Sequence, residues 1–79
     1  MDIKDLISID PDVLGGQAVF KGTRVPIETL FDHLESGSPL DLFLEDFPTV
    51  SKDQALAVLE IASKLLNSKN ITKLYEIAA

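Results

Sequence analysis

The sequence has no cysteine and no tryptophan, and only one histidine and one arginine among its 79 residues. The missing cysteines exclude disulfides and thiolate metal sites alike. A single histidine excludes any site built from a histidine cluster. No apolar run approaches the ~20 residues that cross a bilayer. The start, Met1-Asp2-Ile3-Lys4-Asp5, lacks the basic opening of a signal peptide, so a soluble cytoplasmic protein is expected. What is present is a globular balance, 46% hydrophobic and 25% charged, with a length that suits a single domain spanning residues 1–79.

Bases are scarce in one stretch in particular. Thirteen acids against seven bases give a net charge of −6. Residues 27–62 hold Lys52 alone against eight acids, a net −7, whereas residues 63–79 hold Lys64, Lys69 and Lys73 against Glu76. An acidic middle thus lies between a near-neutral head and a basic tail. The overall sign is wrong for a chain that must neutralise phosphates by itself. A basic tail suits an acidic protein surface at least as well as nucleic acid.

Pro26 divides the chain into two patterns. Before it, Ile7, Ile9 and Val13, then Ala18, Val19 and Phe20, predict two short strands around the turn-forming Asp10-Pro11-Asp12 and Gly15-Gly16. After it, Ile27, Leu30, Phe31 and Leu34 fall at helical spacing, with Pro26 at the first position and Gly37 as the left-handed cap. Ser38-Pro39 opens a second helix whose apolar positions are Leu40, Phe43, Leu44 and Phe47, stopped by Pro48. Ser51 and Gln54, three apart, fit a capping box at the head of a third helix. Asn67 to Asn70 breaks it. Ile71, Leu74, Tyr75 and Ala78 then predict a short fourth helix.

The expected fold is therefore mainly α. A β-ribbon segment (1–25) precedes a three-helix core (26–66, with helices at 26–36, 39–46 and 52–66), and a helical appendage (67–79) follows. This is the outline of a helix-turn-helix, and equally of any small three-helix bundle.

Chemistry-bearing patterns are few. His33 is the sole candidate base and lies on a helix face between Leu30 and Leu34, a position far more often structural than catalytic. The acidic pairs Glu45-Asp46 and Asp32/Glu35 read as solvated helix faces. No calcium-type loop occurs, so no metal, cofactor or enzymatic activity is expected. Gly16 to Thr23 approaches a phosphate-binding loop, but Lys21 and Gly22 stand in exchanged order and no helix follows directly. Glycines at turns explain the stretch better.

Arg24 sits between a glycine turn and a proline. Its fork is expected to bond backbone carbonyls or an acid such as Asp10, with a partner carboxylate or phosphate as the other reading. At the head of the third helix, Gln54 could read adenine and Lys52 could touch phosphate. Asp53 opposes phosphate, and no base follows until Lys64.

The run Ile9-Asp10-Pro11-Asp12-Val13-Leu14-Gly15-Gly16, then Val19-Phe20-Lys21-Gly22-Thr23-Arg24-Val25-Pro26, resembles the signature of the domain-of-unknown-function 433 family. The motif positions are Asp10, Pro11, Gly15, Gly16, Gly22, Thr23, Arg24 and Pro26. The likeness continues through Leu34-Glu35-Ser36-Gly37, Asp46-Phe47-Pro48 and the helix from Ser51 to Ala62, about residues 7–62. It implies a homeodomain-like helix-turn-helix and, for many members, a VapB-type antitoxin. The implied partner is a PIN-like ribonuclease toxin with an acidic, metal-binding pocket. It also implies operator DNA bound by a homodimer. Gln17-Ala18 replaces the usual Lys-Pro and removes a positive charge, which weakens the case for DNA bound by this chain alone.

Two readings follow. One is an antitoxin that neutralises a PIN-like ribonuclease as a homodimer, with autoregulation secondary. The other is a helix-turn-helix regulator without a toxin, and a scaffold with neither activity is a third class. For the antitoxin, the expected partner-binding residues are Arg24, Lys64, Lys69, Lys73, Leu74, Tyr75 and Ile77. The tail helix could lie in a groove of the toxin, or close the protein's own core or its homodimer.

Overall fold

The computed structural model describes residues 2–78; Met1 and Ala79, the ends of the expected ribbon segment and appendage, lie outside the described residues. In chain order there is a one-turn helix α1 (Ile3–Leu6), strand β1 (Ile7–Ser8), a 3₁₀ turn (Leu14–Gly16) and strand β2 (Val19–Phe20). Helices α2 (Ile27–Glu35), α3 (Leu40–Asp46), α4 (Lys52–Leu66) and α5 (Lys69–Ala78) follow. The fold is mainly helical with a short antiparallel two-stranded sheet near the N-terminus, as expected. No described helix is long and apolar enough to cross a membrane.

The helices start where their caps dictate. Pro26 and Pro39 both hold extended backbone (ψ 141° and 157°) and stand as N-caps, so α2 and α3 begin one residue later than expected. Ser51 accepts a hydrogen bond from the Gln54 backbone N–H at 3.0 Å, satisfying a donor that the first turn of α4 cannot pair internally. Helix α2 ends in a Schellman motif. The Gly37 N–H bonds the Leu34 carbonyl and the Ser38 N–H bonds the His33 carbonyl, both at 3.0 Å, with Gly37 at φ +89°. A Cβ there would meet no neighbour but would hold a left-handed backbone. Gly37→Ala is therefore expected to cost about 1–2 kcal/mol, read as a lower urea midpoint with unchanged slope.

The ribbon is shorter than the residue pattern suggested. Ile7 pairs with Phe20 and Ser8 with Val19. Ile9 is exposed, and Val13 lies in the turn rather than in a strand. The cause is local: Asp10 accepts from the Asp12 N–H at 2.9 Å through its side chain and from the Val13 N–H through its carbonyl, with Pro11 between. This Asx-type turn consumes the backbone groups a longer ladder would need. The α1 turn had no signature in the sequence, because four residues are too few to show a helical period.

One core unites the ribbon and the helices. Leu6, Phe20, Leu30, Phe43, Val50, Ala55 and Val58 are buried, drawn from α1, β2, α2, α3, the α3–α4 turn and α4. The apolar positions Leu30 and Phe43 that set the helical period are fully enclosed. Phe43 sits at the centre, its ring 6.0 Å from that of Phe20, 5.2 Å from Phe47 and 5.5 Å from His33.

Helix α5 does not join this core. No residue of it is buried, and its main contact is with α4, which it follows. The radius of gyration is 14.0 Å, against about 11.6 Å for a compact chain of this length.

Candidate functional site

The glycine-rich motif builds a support for the helices. Gly22 takes φ +80°, which suits the third position of the turn closed by the Thr23 N–H on the Phe20 carbonyl. The Thr23 hydroxyl donates to that same carbonyl at 2.8 Å and accepts from the Val25 N–H at 3.0 Å. The Phe20 N–H then bonds the Val25 carbonyl, and the Ile27 N–H bonds the Ala18 carbonyl. Residues 25–27 thus lie beside β2 and deliver Pro26 to the head of α2. Leu14, at φ +49°, with Gly15 and Gly16, forms the 3₁₀ turn that returns the chain to β2. The departure at Gln17 is used locally, since its side-chain amide donates to the Glu28 carboxylate at 3.0 Å.

Arg24 departs from its expected anchoring role. Among the described residues it has no hydrogen bond or ion pair, and it is exposed at the tip of the motif turn. Thr23 already closes the turn, and Asp10 is engaged with the Asp12 N–H, so the guanidinium is left to solvent. Among the motif side chains it carries the free charge.

The candidate base-reader Gln54 and the candidate phosphate contact Lys52 do not form a reading edge. Gln54 is half-buried and points into the protein: its side-chain amide donates to the Lys21 carbonyl at 3.0 Å and to the Leu6 carbonyl at 3.3 Å. The expected reciprocal capping box is therefore only half formed, with this amide tying α4 to the ribbon instead. Lys52 is exposed, but Asp53 beside it and Asp41, Glu45 and Asp46 of α3 are exposed too. The acid next to Lys52 opposes phosphate there, and the neighbouring helix adds no base. Gln54→Ala is expected to destabilise the fold by about 1–2 kcal/mol by removing the two hydrogen bonds that tie α4 to the ribbon, measured by chemical denaturation. A DNA-reading residue would leave stability unchanged when truncated.

His33 is half-buried and structural in its surroundings. Its Nδ1 donates to the Thr29 carbonyl at 2.9 Å, and its Nε2 lies 3.6 Å from an Asp46 carboxylate oxygen. The ring stands edge-on to Phe43 and Phe47. These contacts lash α2 to α3. Among the described residues no group of three or more potential metal ligands occurs.

The remaining predicted residues lie on the last two helices. Lys64 pairs with Glu60 at 3.5 Å, one turn away on α4. Lys69 and Lys73 lie on α5 without an ion pair among the described residues. Leu74, Tyr75 and Ile77 are 60%, 74% and 82% exposed. At helical spacing, Leu74 and Tyr75 share a stripe with Ile71 and Ala78, and Lys69, Lys73 and Glu76 occupy the opposite side.

A second apolar feature was not visible in the sequence. Ile3, Ile7, Ile27, Phe31, Ile61 and Leu65 line a groove of about 180 Å³ between α1, β1, α2 and α4. Its walls are almost wholly apolar. The residues come from three separate stretches of chain (3–7, 27–31 and 61–65), so no single periodicity marks them.

A helical core on a short β-ribbon, followed by an amphipathic helix that the core leaves uncovered, defines a small, mainly helical domain. The model of a family described as a protein of unknown function (DUF433) matches residues 7–62, and the chain belongs to that family. A crystal structure at 2.00 Å of a DUF433 member protein from Anabaena variabilis ATCC 29413 is similar, with a TM-score of 0.66 and 30% identity. That likeness covers 98% of this chain and 72% of the other. The uncharacterized protein y4eO of Sinorhizobium fredii (strain NBRC 101917 / NGR234) is 29% identical over 51 residues, which is 65% of this chain. This chain matches only 23% of that relative's length.

Proposed function

We propose that this chain is the antitoxin of a type II toxin–antitoxin pair, a non-catalytic cytoplasmic protein that binds and neutralises a PIN-like ribonuclease. The observation that carries the reading is α5. A ten-residue helix is marginal in water without tertiary packing, yet this one presents Leu74, Tyr75 and Ile77 to solvent, with Lys69 and Lys73 on the side opposite the Leu74–Tyr75 stripe. A basic amphipathic helix of this kind suits an apolar groove rimmed by acids, the chemistry expected at the mouth of a metal-dependent nuclease. Arg24, exposed and unpartnered among the described residues, is a second residue proposed to contact the partner.

A helix-turn-helix regulator without a toxin is the alternative, and autoregulation through a dimer is compatible with both. The inward Gln54 and the acid beside Lys52 favour the antitoxin.

The experiment is purification of the tagged chain from its native host at moderate salt, with mass spectrometry of what stays bound. A stoichiometric nuclease bearing several acidic pocket residues, whose RNA cleavage the chain inhibits in a reconstituted assay, supports the antitoxin. Recovery of the chain alone, with DNA retained only at low salt, overturns it in favour of the regulator.

A further inference from the structure

We infer that two copies of this chain exchange their C-terminal helices, each α5 lying in the apolar groove of the other copy. Both halves of the contact are on one molecule. The groove is lined by Ile3, Ile7, Ile27, Phe31, Ile61 and Leu65, with almost no polar surface. The helix presents Ile71, Leu74, Tyr75 and Ala78 along one stripe, and among these Leu74 and Tyr75 are mostly uncovered.

The joint between α4 and α5 explains why the helix does not serve its own groove. It consists of Asn67 and Ser68 alone. The Asn67 amide donates to the Ser63 carbonyl and the Ser68 hydroxyl to the Leu65 carbonyl, each at 2.8 Å. The Ile71 N–H bonds the Ser68 carbonyl. These bonds fix the direction in which α5 leaves, and the helix remains uncovered although Leu65, at the groove, is only four residues before it. A second copy is not bound by that short tether.

Charge selects the same occupant. The tail of one copy (63–79) carries a net +2 and the body (27–62) a net −7, so tail-to-body contact between copies is attractive where body-to-body contact is repulsive. On α2, Glu35 follows Phe31 by one turn and continues the groove-facing stripe. The exchange is isologous: a two-fold axis repeats the contact twice and leaves no open end for further growth. Five of the large exposed hydrophobics, Leu65, Leu66, Leu74, Tyr75 and Ile77, lie in the last 15 residues, so the apolar surface awaiting cover is concentrated at this contact.

A helix held by a second copy cannot at the same time lie on a toxin. The exchanged dimer is accordingly the resting form, and partner binding draws α5 out of it. This last step rests on the proposed antitoxin function; the exchange itself does not.

The test is analytical ultracentrifugation of the purified chain alone. The wild-type chain is expected to sediment at twice the 8.6 kDa of one copy at tens of micromolar, with an association that weakens as salt rises. Leu74→Asp with Tyr75→Ala damages the helix, and Ile3→Asp with Leu65→Glu damages the groove. All four positions are exposed, so each variant should keep its circular dichroism spectrum and each should dimerise at least tenfold more weakly. Mixing the two variants leaves one intact helix–groove contact and should restore heterodimers that neither forms by itself. A monomeric wild-type chain at 100 µM overturns the exchange, as does a groove variant that dimerises normally, which would mean helix-to-helix pairing. Failure of the mixture to associate overturns it too. None of these outcomes touches nuclease capture, so the exchange and the antitoxin reading fail separately.

Discussion

Phe43→Ala is expected to leave the protein close to unfolded at room temperature. The ring is fully buried, and it touches the aromatic rings contributed by β2, α2 and the end of α3. Removing a buried phenylalanine costs about 3–5 kcal/mol through lost transfer energy and the cavity left behind. A chain of this size holds only about 4–12 kcal/mol in total. Few other large side chains are enclosed: Phe20, Leu6, Leu30 and Val19 complete the set of largest fully buried groups. The melting temperature should fall by roughly 15–30 °C. Phe43→Leu, which keeps most of the volume, should cost no more than about 1–2 kcal/mol. Thermal melts followed by circular dichroism separate the two. A loss below about 1 kcal/mol for the alanine variant would show that the core does not close around this ring.

The second large effect concerns binding and spares the fold. Leu74→Asp with Tyr75→Ala changes two side chains that are mostly solvent-exposed and remote from the core. Exposed substitutions of this kind shift stability by only about 0.5 kcal/mol, so the melting temperature should hardly move. If α5 is the helix that engages the nuclease, an aromatic and a leucine at the centre of the contact together carry about 2–4 kcal/mol. Affinity should then fall about 30- to 1,000-fold, and inhibition of RNA cleavage should vanish at concentrations where the wild-type chain is fully inhibitory. Titration calorimetry against the captured nuclease measures this directly. Undiminished neutralisation would remove α5 from the principal contact and leave Arg24 as the next residue to truncate.

Phe43 and Tyr75 illustrate how unequally a helical period informs. Both lie on apolar stripes of similar regularity, Leu40-Phe43-Leu44-Phe47 in one case and Ile71-Leu74-Tyr75-Ala78 in the other. One stripe closes a core and the other remains uncovered. Periodicity states that a face will be covered without stating by what. The sequence left the tail helix with two destinations, its own core or a partner, and the structure removes its own core from the choice.

The sequence by itself determined what depends on neighbours along the chain. The positions of α2, α3 and α4 followed from apolar spacing and from the stops at Gly37, Pro48 and Asn67, to within a residue at each start. The Ser51 cap followed from hydroxyl chemistry. The turn at Gly22 followed from a residue free to take positive φ. The charge division between body and tail followed from counting alone. Only the tertiary structure decided where side chains with two possible partners went. Gln54 turned inward because the carbonyls of Leu6 and Lys21, 48 and 33 residues away, came within reach of its amide. Arg24 stayed outside because Thr23 had already closed its turn. The groove exists because three separate stretches of chain were brought together by burial of their neighbours. Local backbone preference is written residue by residue, whereas a surface made from distant segments appears only once the core that aligns them has formed.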